Sequence, residues 1–278
     1  MFLDLDSGKL YIFVGGLLIF GLLEFWFPIR QSRSQKLQRF VFHALVAALN
    51  TVLTRLLVFV PFLMWAVYVD EQGWGIARWL GLKGWIEIFT SIVVLDAFDY
   101  AWHRANHRIP FLWRFHKAHH ADTGMDISTA LRFHPGELMI SALVKALWIA
   151  VWGPTAVAWF IFEILVSFCS QFHHSNLNLP TKLNSFIGTI LVTPRYHSLH
   201  HLADRQFGDR NFSTIFPWWD VLFQTDIRQT TALGDDATFG LPEGRSLAFS
   251  PLEWLVEPFR RRNMDLAKPQ ATEEGKVS

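Results

Sequence analysis

Long apolar segments alternate with polar, basic segments along the chain, and this pattern predicts membrane-crossing helices. Most of these segments have about the length that one bilayer crossing requires. They predict an all-α integral membrane protein with about four to five transmembrane or hairpin helices. The predicted membrane helices are residues 11–28, 41–69, 85–102, 138–152 and 155–172.

Basic residues cluster directly after the first and the third predicted helix. Short loops rich in Lys and Arg tend to stay on the cytoplasmic side of a membrane. Both loops are therefore expected to be cytoplasmic, which places the N-terminus outside. The basic residues of these loops are Arg30, Arg33, Lys36, Arg39, Arg104, Arg108, Arg114 and Lys117.

The last two predicted helices form a hairpin, because the turn dipeptide Gly153-Pro154 separates them. An antiparallel pair with its mirror point in this turn brings Lys145 close to Glu163. Isolated charges in a membrane are costly, and pairing reduces that cost. Either these two residues pair, or each side chain extends separately to the interface.

The segments that follow the third helix and the hairpin are more polar than the helices themselves. We expect residues 103–137 and 173–225 to form a cytoplasmic, histidine-rich, metal-binding cap. No linker or internal repeat divides the chain, so residues 1–262 are predicted to form one domain. The tail, residues 263–278, is predicted to be disordered.

The composition agrees with a membrane protein and excludes several other classes. Hydrophobic residues make up 51% of the chain and charged residues 18%, against about 25% charged in an average soluble domain. A net charge of +1 provides no field that would favour nucleic acid as a partner. The single cysteine, Cys169, excludes a domain held together by intramolecular disulfides.

Eleven of the twelve histidines fall into two windows of the sequence. The first window contains His103, His107, His116, His119, His120 and His134. The second window contains His173, His174, His197, His200 and His201. The remaining histidine, His43, lies at the start of a predicted crossing and is expected to be an interfacial side chain. The hairpin returns the chain to the side it left, so both windows are predicted to meet in the cytoplasmic cap.

The spacing of these histidines predicts metal ligands. His103 and His107 are four residues apart and therefore share one face of a helix. The pattern H-x-x-H-H occurs twice, at 116–120 and at 197–201, and directs its imidazoles to one side. Three such units in one chain of this size are hard to obtain by chance.

The number and type of these side chains indicate two transition-metal ions. Imidazole suits iron, zinc, copper and nickel, whereas magnesium and calcium prefer oxygen ligands. One catalytic zinc takes about three protein ligands, and this chain offers more than twice as many. Neighbouring helical residues point about 100° apart, so only one of His173 and His174 is expected to bind metal directly. Asp96 and Asp99 lie on the helical stripe of His103 and are candidates to accept hydrogen bonds from ligand N–H groups.

Three other functions fit parts of this pattern. A basic, histidine-rich loop can bind lipid headgroups, although headgroup binding needs no helical register. A metal transporter is expected to carry ionisable residues through several crossings, whereas the histidines here lie at one end. A zinc hydrolase would use similar ligands, and its activity would not depend on oxygen.

The motifs that contain the histidines resemble those of the fatty acid hydroxylase/sterol desaturase superfamily, which comprises membrane non-haem di-iron oxygenases. The resemblance extends from about Asp96 to Thr225. The matching motifs are DYAWHRANH at 99–107, HKAHH at 116–120, RFHP at 132–135 before Glu137, FHHSN at 172–176, TPRYHSLHH at 193–201, DRNF at 209–212 and WD at 219–220.

The resemblance implies a pair of iron ions (Fe2+), with zinc as an alternative occupant, held by ten histidines. The implied ligands are His103, His107, His116, His119, His120, His134, His174, His197, His200 and His201. Asp96, Asp99, His173 and Asp209 are candidates to support these ligands from behind. The implied reaction uses O2 to hydroxylate a C–H bond of a lipid, such as a sterol or a fatty acyl chain. A desaturase with the same cluster is the alternative, and product mass distinguishes the two.

The resemblance also implies an external electron donor, either a redox protein or a reduced pterin, because the chain contains no haem or flavin motif. The expected membrane is a bacterial inner membrane or the endoplasmic reticulum, with the metal site on the cytoplasmic side. Two departures from the superfamily follow the last histidines. Asn211-Phe212-Ser213 replaces a common Asn-Tyr-Gly, and Gln224 replaces a common Gly. Both concern contacts to substrate more than the metal site.

Overall fold

The protein is built of α-helices, which confirms the all-α prediction. The computed structural model describes residues 2–31, 36–54, 60–234, 237–241 and 249–260. These residues contain no β-strand and only two isolated bridges, Pro28–Leu177 and Leu202–Phe239. The predicted disordered tail, residues 263–278, lies outside the described residues.

Thirteen α-helices follow one another in the described part of the chain. They are α1 Phe2–Trp26, α2 Lys36–Thr54, α3 Val60–Glu71, α4 Ile76–Trp79, α5 Gly84–Arg108, α6 Pro110–His120, α7 Pro135–Trp152, α8 Ala156–His174, α9 Thr181–Ile187, α10 Pro194–His200, α11 Arg205–Gly208, α12 Trp218–Leu222 and α13 Pro251–Val256. Short 3-10 helices cover Ile127–Leu131, Thr230–Leu233 and Glu257–Phe259.

Three of the helices are long and apolar enough to cross a membrane. They are Gly8–Trp26 within α1, Pro135–Trp152 and Ala156–His174. Large apolar side chains on their outer faces are exposed, with Leu143 and Leu147 each 69% exposed. Such faces are unfavourable in water and favourable against lipid tails, so these helices support a membrane protein.

The predicted crossing at 85–102 is one continuous helix, α5, but it differs from the three spans above. It carries three acidic residues, Glu87, Asp96 and Asp99, and all three are buried inside the protein. Its mean hydropathy and charge do not place it among the candidate spans. α5 packs closely against α6 and α8.

The predicted crossing at 41–69 corresponds to two helices, α2 and α3, which pack in different places. α2 contacts the 3-10 helix Ile127–Leu131, whereas α3 packs against α7 and α8. Residues 55–59 between the two helices lie outside the described residues. Asn50, near the end of α2, is buried and donates a hydrogen bond to the Phe133 carbonyl at 2.6 Å.

The hairpin between α7 and α8 is present and turns at Gly153. This residue has φ +71°, a left-handed conformation that glycine adopts without steric cost. A Cβ atom at position 153 would lie 1.8 Å from the Trp74 carbonyl oxygen. Only glycine, which has no Cβ atom, fits at this position. Thr155 then begins α8 by accepting a hydrogen bond from the Ala158 N–H.

The predicted pairing of Lys145 with Glu163 is wrong, and so is the separate extension of both to the interface. Lys145 Nζ lies 3.0 Å from a carboxylate oxygen of Asp99 on α5. Glu163 instead pairs with Lys9 of α1 at 3.1 Å. α5 and α1 pack beside the hairpin and supply the charges that pair with Lys145 and Glu163. Hairpin symmetry alone does not predict these two ion pairs between helices.

His43 is not an interfacial side chain, because it is fully buried. Its Nδ1 lies 2.7 Å from Ser128 Oγ, and its Nε2 lies 3.5 Å from Asp122. Asp122 follows the histidines of α6, and its two oxygens bind Arg39 of α2 at 2.7 and 2.9 Å. A buried polar network therefore fastens α2 to the end of α6.

Candidate metal centre

α5 and α6 place five histidines on facing surfaces. The last two turns of α5 carry His103 and His107, and the chain then turns at Ile109. Pro110 occupies the first turn of α6, where its missing N–H is not needed. α6 folds back against α5, so its three histidines face His103 and His107.

α8 and α10 supply the remaining members of the cluster. α8 ends at His174, where Ser175 terminates the helix in an extended conformation. Pro194 begins α10, which carries His197 and His200. His201 follows directly as the C-cap of this helix. α10 packs on α8, which brings these imidazoles to His174.

The structure gathers nine of the ten predicted ligands into two adjacent groups. Within each group, one ligand atom of every residue lies within 4.8 Å of the others. The first group contains His103, His107, His116, His120 and His200. The second group contains His119, His174, His197 and His201. The His120 and His201 rings, one from each group, stack with centroids 4.4 Å apart.

Each H-x-x-H-H triplet divides between the two groups. In α6, His116 and His120 join the five-histidine group and His119 joins the four-histidine group. In α10 the division is reversed, because His200 joins the five-histidine group. Residues four apart share a helical face, and the residue before the last points about 100° away. The same spacing therefore supplies both groups from each helix.

The orientation of the rings suits metal binding, because the Nε2 atoms face the centre and the Nδ1 atoms of His103, His174 and His200 are bound from behind. The Nδ1 of His103 bonds to the Phe212 carbonyl at 2.8 Å, and that of His200 to the Arg210 carbonyl at 2.6 Å. His174 uses the Ser170 carbonyl in the same way, at 2.7 Å. A carbonyl only accepts, so these Nδ1 atoms carry the proton and each Nε2 keeps its lone pair.

The Nε2 atoms converge at distances that hydrogen bonds among them cannot all explain. The Nε2 atoms of His103 and His200 face each other at 3.1 Å, and both of these rings hold their proton on Nδ1. Where both Nδ1 positions hold the proton, no proton remains between two Nε2 atoms. The buried lone pairs would repel one another without a shared cation. The chemistry of this donor set therefore fits two metal ions.

Burial keeps these imidazoles in the neutral form that binds metal. Burial lowers the pKa of His200 to about 3. Burial, followed by the charge of neighbouring rings, lowers the pKa well below its usual value for His119, His120, His197 and His201. Neutral imidazole is the ligating form, so protons do not compete with metal near neutral pH.

A loop that contains Asn211 positions two of the carbonyls behind the histidines. Asn211 has φ +56°, a conformation that Asn tolerates better than most residues. Its side-chain amide donates to the Tyr196 and Ile227 carbonyls, both at 2.9 Å. Asp220 accepts the next two backbone N–H groups, from Phe212 and Ser213. The sequence prediction missed these supporting roles, although both residues lie within the recognised motifs.

Glu137 is a supporting residue that the sequence prediction also missed. It lies in the first turn of α7, and its Oε1 is 2.7 Å from His116 Nδ1. Its Oε2 is buried and has no hydrogen-bond partner among the described residues. A carboxylate behind a metal-binding imidazole fixes the ring and increases its basicity. The signal for Glu137 in the sequence was its position three residues after His134.

Replacing Glu137 with leucine is expected to weaken metal binding by about 10- to 100-fold. The His116 N–H would lose its acceptor, and the ring would no longer be held in position. Glu137→Gln keeps a carbonyl oxygen at this site and should lose less. Titration of the purified protein with a chelator measures the effect, with exposed Glu71→Leu as control. If Glu137→Leu and the control retained metal equally well, this role of Glu137 would be contradicted.

His134 is not brought into either group, which corrects its predicted role as a ligand. Both of its ring nitrogens are engaged elsewhere. Nδ1 accepts the Gly136 N–H at 2.9 Å and thereby caps α7, and Nε2 lies 3.1 Å from the Leu255 carbonyl. A neutral ring that donates through one nitrogen and accepts through the other has no lone pair left for a metal.

The predictions for Asp96 and Asp99 are also corrected, because neither carboxylate contacts a histidine. Asp96 accepts the backbone N–H groups of Ile215 and Phe216 and the Trp219 indole N–H, at 2.8 to 3.1 Å. It therefore anchors the segment before α12. Asp99 pairs with Lys145 as described above.

His173 and Asp209 lie beside the two groups without joining them. The His173 ring contacts the His197 ring with centroids 4.1 Å apart. Asp209 Oδ1 lies 3.6 Å from His107 Nδ1, which is longer than a hydrogen bond. A supporting role for these two residues stays a prediction.

A cavity of about 330 Å³ lies between α5, α7 and α8, directly beside the histidines. Both groups contribute to its wall, through His103 and His116 of one and His174 and His197 of the other. Its volume is at the lower end of the range for small-molecule sites, roughly 300–1,000 Å³. A ligand in this cavity would lie against both groups.

Residues 88–225 match the protein family described as fatty acid hydroxylase. The chain is 29% identical to the human alkylglycerol monooxygenase over 139 residues, which are 49% of this chain and 30% of that protein. It is 29% identical to a methylsterol monooxygenase of Aspergillus fumigatus, over 50% of this chain and 47% of that protein. A C-4 methylsterol oxidase of Schizosaccharomyces pombe is 30% identical over 47% of this chain and 44% of its own.

The matched region thus spans about a third to a half of these curated relatives. No solved structure matches the chain. The matched residues include all nine histidines of the two groups, together with Glu137, Asn211 and Asp220.

Proposed function

This chain belongs, through residues 88–225, to the fatty acid hydroxylase/sterol desaturase superfamily, and from this membership we propose that it hydroxylates a C–H bond of a membrane lipid. The observation that carries the proposal is the pair of buried histidine groups beside a cavity between apolar helices. The relatives named above are monooxygenases or oxidases of alkylglycerols and methylsterols by name. A sterol, a fatty acyl chain or a related lipid is the proposed substrate.

The proposed cofactor is a pair of iron ions, one in each group, and zinc would occupy the same ligands without redox activity. Bound there, iron would supply the reduction of O2 and the oxidation of the C–H bond. One oxygen atom enters the C–H bond and the other leaves as water, with two electrons and two protons consumed. The electrons are proposed to come from a separate redox protein or a reduced pterin.

The residues of the chain would bind the metal ions, orient the lipid and shield the site from water. Nine imidazoles present Nε2 atoms to the centre, while carbonyls such as that of Phe212 hold the rings from behind. Glu137 fixes His116 at the cavity wall. The lipid chain would enter the cavity between α7 and α8 from the bilayer, which excludes water and holds one carbon close to the histidines.

We propose that the metal centre lies on the cytoplasmic side of a bacterial inner membrane or of the endoplasmic reticulum. Arg104 and Arg108 of α5 and Arg114 of α6 lie at this end of the bundle, where the positive-inside rule expects them. Labelling a cysteine placed at position 108 by an impermeant reagent, from each side of the membrane, tests this orientation.

The reaction is tested by lipid mass spectrometry on cells that express the intact chain under 18O2. We expect a lipid that gains one labelled oxygen atom with the intact chain and does not gain it with His120→Ala, which loses a ligand of the five-histidine group. His134→Asn is the control, because His134 lies outside both groups, and it should still form the product.

Loss of two hydrogens without labelled oxygen would show a desaturase instead of a hydroxylase. Product formed without oxygen, or equally by His120→Ala, would contradict an oxygenase that depends on these histidines.

A further inference from the structure

Gln171 has a buried amide group without a hydrogen-bond partner. It lies on α8, three residues before His174, and is 1% exposed. Neither its Oε1 nor its Nε2 has a partner among the residues that the structure describes. Buried side-chain amides are nearly always satisfied, so this group calls for an explanation.

Gln171 contributes to the wall of the cavity beside the histidines. Gln171 precedes His174 by about one helical turn, so the two side chains share a side of α8. His103, His116 and His197 contribute to the same wall. A molecule that fills the cavity would therefore lie beside Gln171 and both histidine groups at the same time.

Several other polar groups of this wall have partners. Lys145 and Asp99 form an ion pair at 3.0 Å, and Ser141 Oγ accepts the Trp102 indole N–H at 2.8 Å. Glu137 keeps one free oxygen, but its carboxylate is bound to His116. Gln171 differs from these groups, because it is uncharged and offers both a donor and an acceptor.

We propose that Gln171 is a specificity-determining residue that hydrogen-bonds an uncharged oxygen of the lipid substrate, a hydroxyl or an ether. This inference rests on the proposed function and names the substrate class. The amide N–H₂ donates to either kind of oxygen, and its carbonyl accepts from a hydroxyl. Lys145 and Asp99 neutralise each other, so no lining side chain other than the histidines offers a positive charge to an anionic group. A plain hydrocarbon in this cavity would leave the amide unsatisfied.

The neighbouring helix α1 packs against the amide of Gln171 at Gly16. A Cβ atom added at Gly16 would lie 2.4 Å from Gln171 Oε1, so the carboxamide packs directly against this glycine. Gly16→Ala must therefore displace the amide while leaving it chemically intact. Gly15→Ala is a matched control one residue away, because a Cβ there meets nothing within 4 Å.

The test compares binding of radiolabelled hexadecan-1-ol and hexadecane to the purified, metal-loaded protein in detergent without reductant. The measured quantity is the ratio of the two affinities. Comparing this ratio between variants cancels the different partition of the probes into detergent. We expect Gln171→Leu to lower the ratio by about tenfold, as the loss of one hydrogen bond implies. Gly16→Ala should lower it in the same direction, and Gly15→Ala should leave it at the wild-type value.

A ratio unchanged in both Gln171→Leu and Gly16→Ala would overturn the assignment. Metal content is measured in parallel, and Gly16→Ala decides the matter if Gln171→Leu does not fold. Because binding is measured without turnover, the two proposals fail separately. A protein that shows the Gln171 dependence but oxygenates no lipid would refute the oxygenase and keep the assignment. Oxygenation without this dependence would refute only the assignment.

Discussion

Replacing both His174 and His197 with alanine is expected to lower the metal content of the purified protein from two ions per chain to about one. Only His119 and His201 would remain in the four-histidine group, fewer than the three protein ligands that catalytic metal sites usually have. The five-histidine group keeps all its members. Elemental analysis of the protein in detergent measures the change, and lipid oxygenation should fall below detection.

His134→Asn is the matched control for this experiment. Its ring makes hydrogen bonds to Gly136 and Leu255 and takes part in neither group. Asparagine is a favourable N-cap, so the start of α7 should be retained. We expect this variant to bind two ions. Loss of metal from His134→Asn, or two ions in the double variant, would show that the ligands are not divided as the structure divides them.

Nine of the ten histidines predicted as ligands come together in the structure, but their division between the two groups could not be predicted from the sequence. Spacings of three and four residues fix the helical face, which depends only on local geometry. The partner of each ring depends on how α6, α8 and α10 pack. His119 and His120 are neighbours in sequence, yet they belong to different groups. A helix presents adjacent side chains in different directions, but only the tertiary arrangement decides which group each of them joins.

The wrong predictions share one physical cause, which is a partner distant in sequence. Asp96 was expected to support the histidines of its own helix, but its donors lie 119 to 123 residues away. His134 binds a carbonyl 121 residues away. For Lys145, hairpin symmetry offered Glu163 as the possible partner, whereas α5 supplies the actual one. A buried polar group takes whichever partner the packing supplies, and local pattern does not contain that information.

Replacing Asp122 with alanine is expected to destabilise the protein by about 3–5 kcal/mol. Asp122 accepts two hydrogen bonds from Arg39 and one from Thr129 Oγ1, at 2.7 to 2.9 Å, and is 3% exposed. Its removal leaves the buried Arg39 guanidinium with Asp126 as its remaining carboxylate partner among the described residues. The half-life in detergent at a fixed elevated temperature measures the loss, because unfolding of such a protein is governed by a rate.

Two comparisons distinguish the loss of stability caused by breaking the buried ion pair from a general effect of losing one charge. Asp226 pairs with Arg228 at 3.6 Å on the surface, with the two side chains 35% and 52% exposed. Asp226→Ala is therefore expected to cost less than about 1 kcal/mol. Replacing both partners, as Arg39→Met with Asp122→Leu, should be less harmful than Asp122→Ala alone, because no buried charge is left uncompensated.

The effect of Asp122 should not depend on pH in the neutral range. Burial would raise its pKa, but the charge of Arg39 and of its other neighbours outweighs burial and holds the pKa well below the usual range. A lowered folded-state pKa contributes stability above the unfolded value of about 3.9, and this stability is lost as pH falls toward the folded value. The difference between wild type and Asp122→Ala should thus be constant from about pH 5 to pH 8. A difference that vanished within this interval would mean that His43, and not Asp122, holds the network that fastens α2 to the histidine-bearing end of α6.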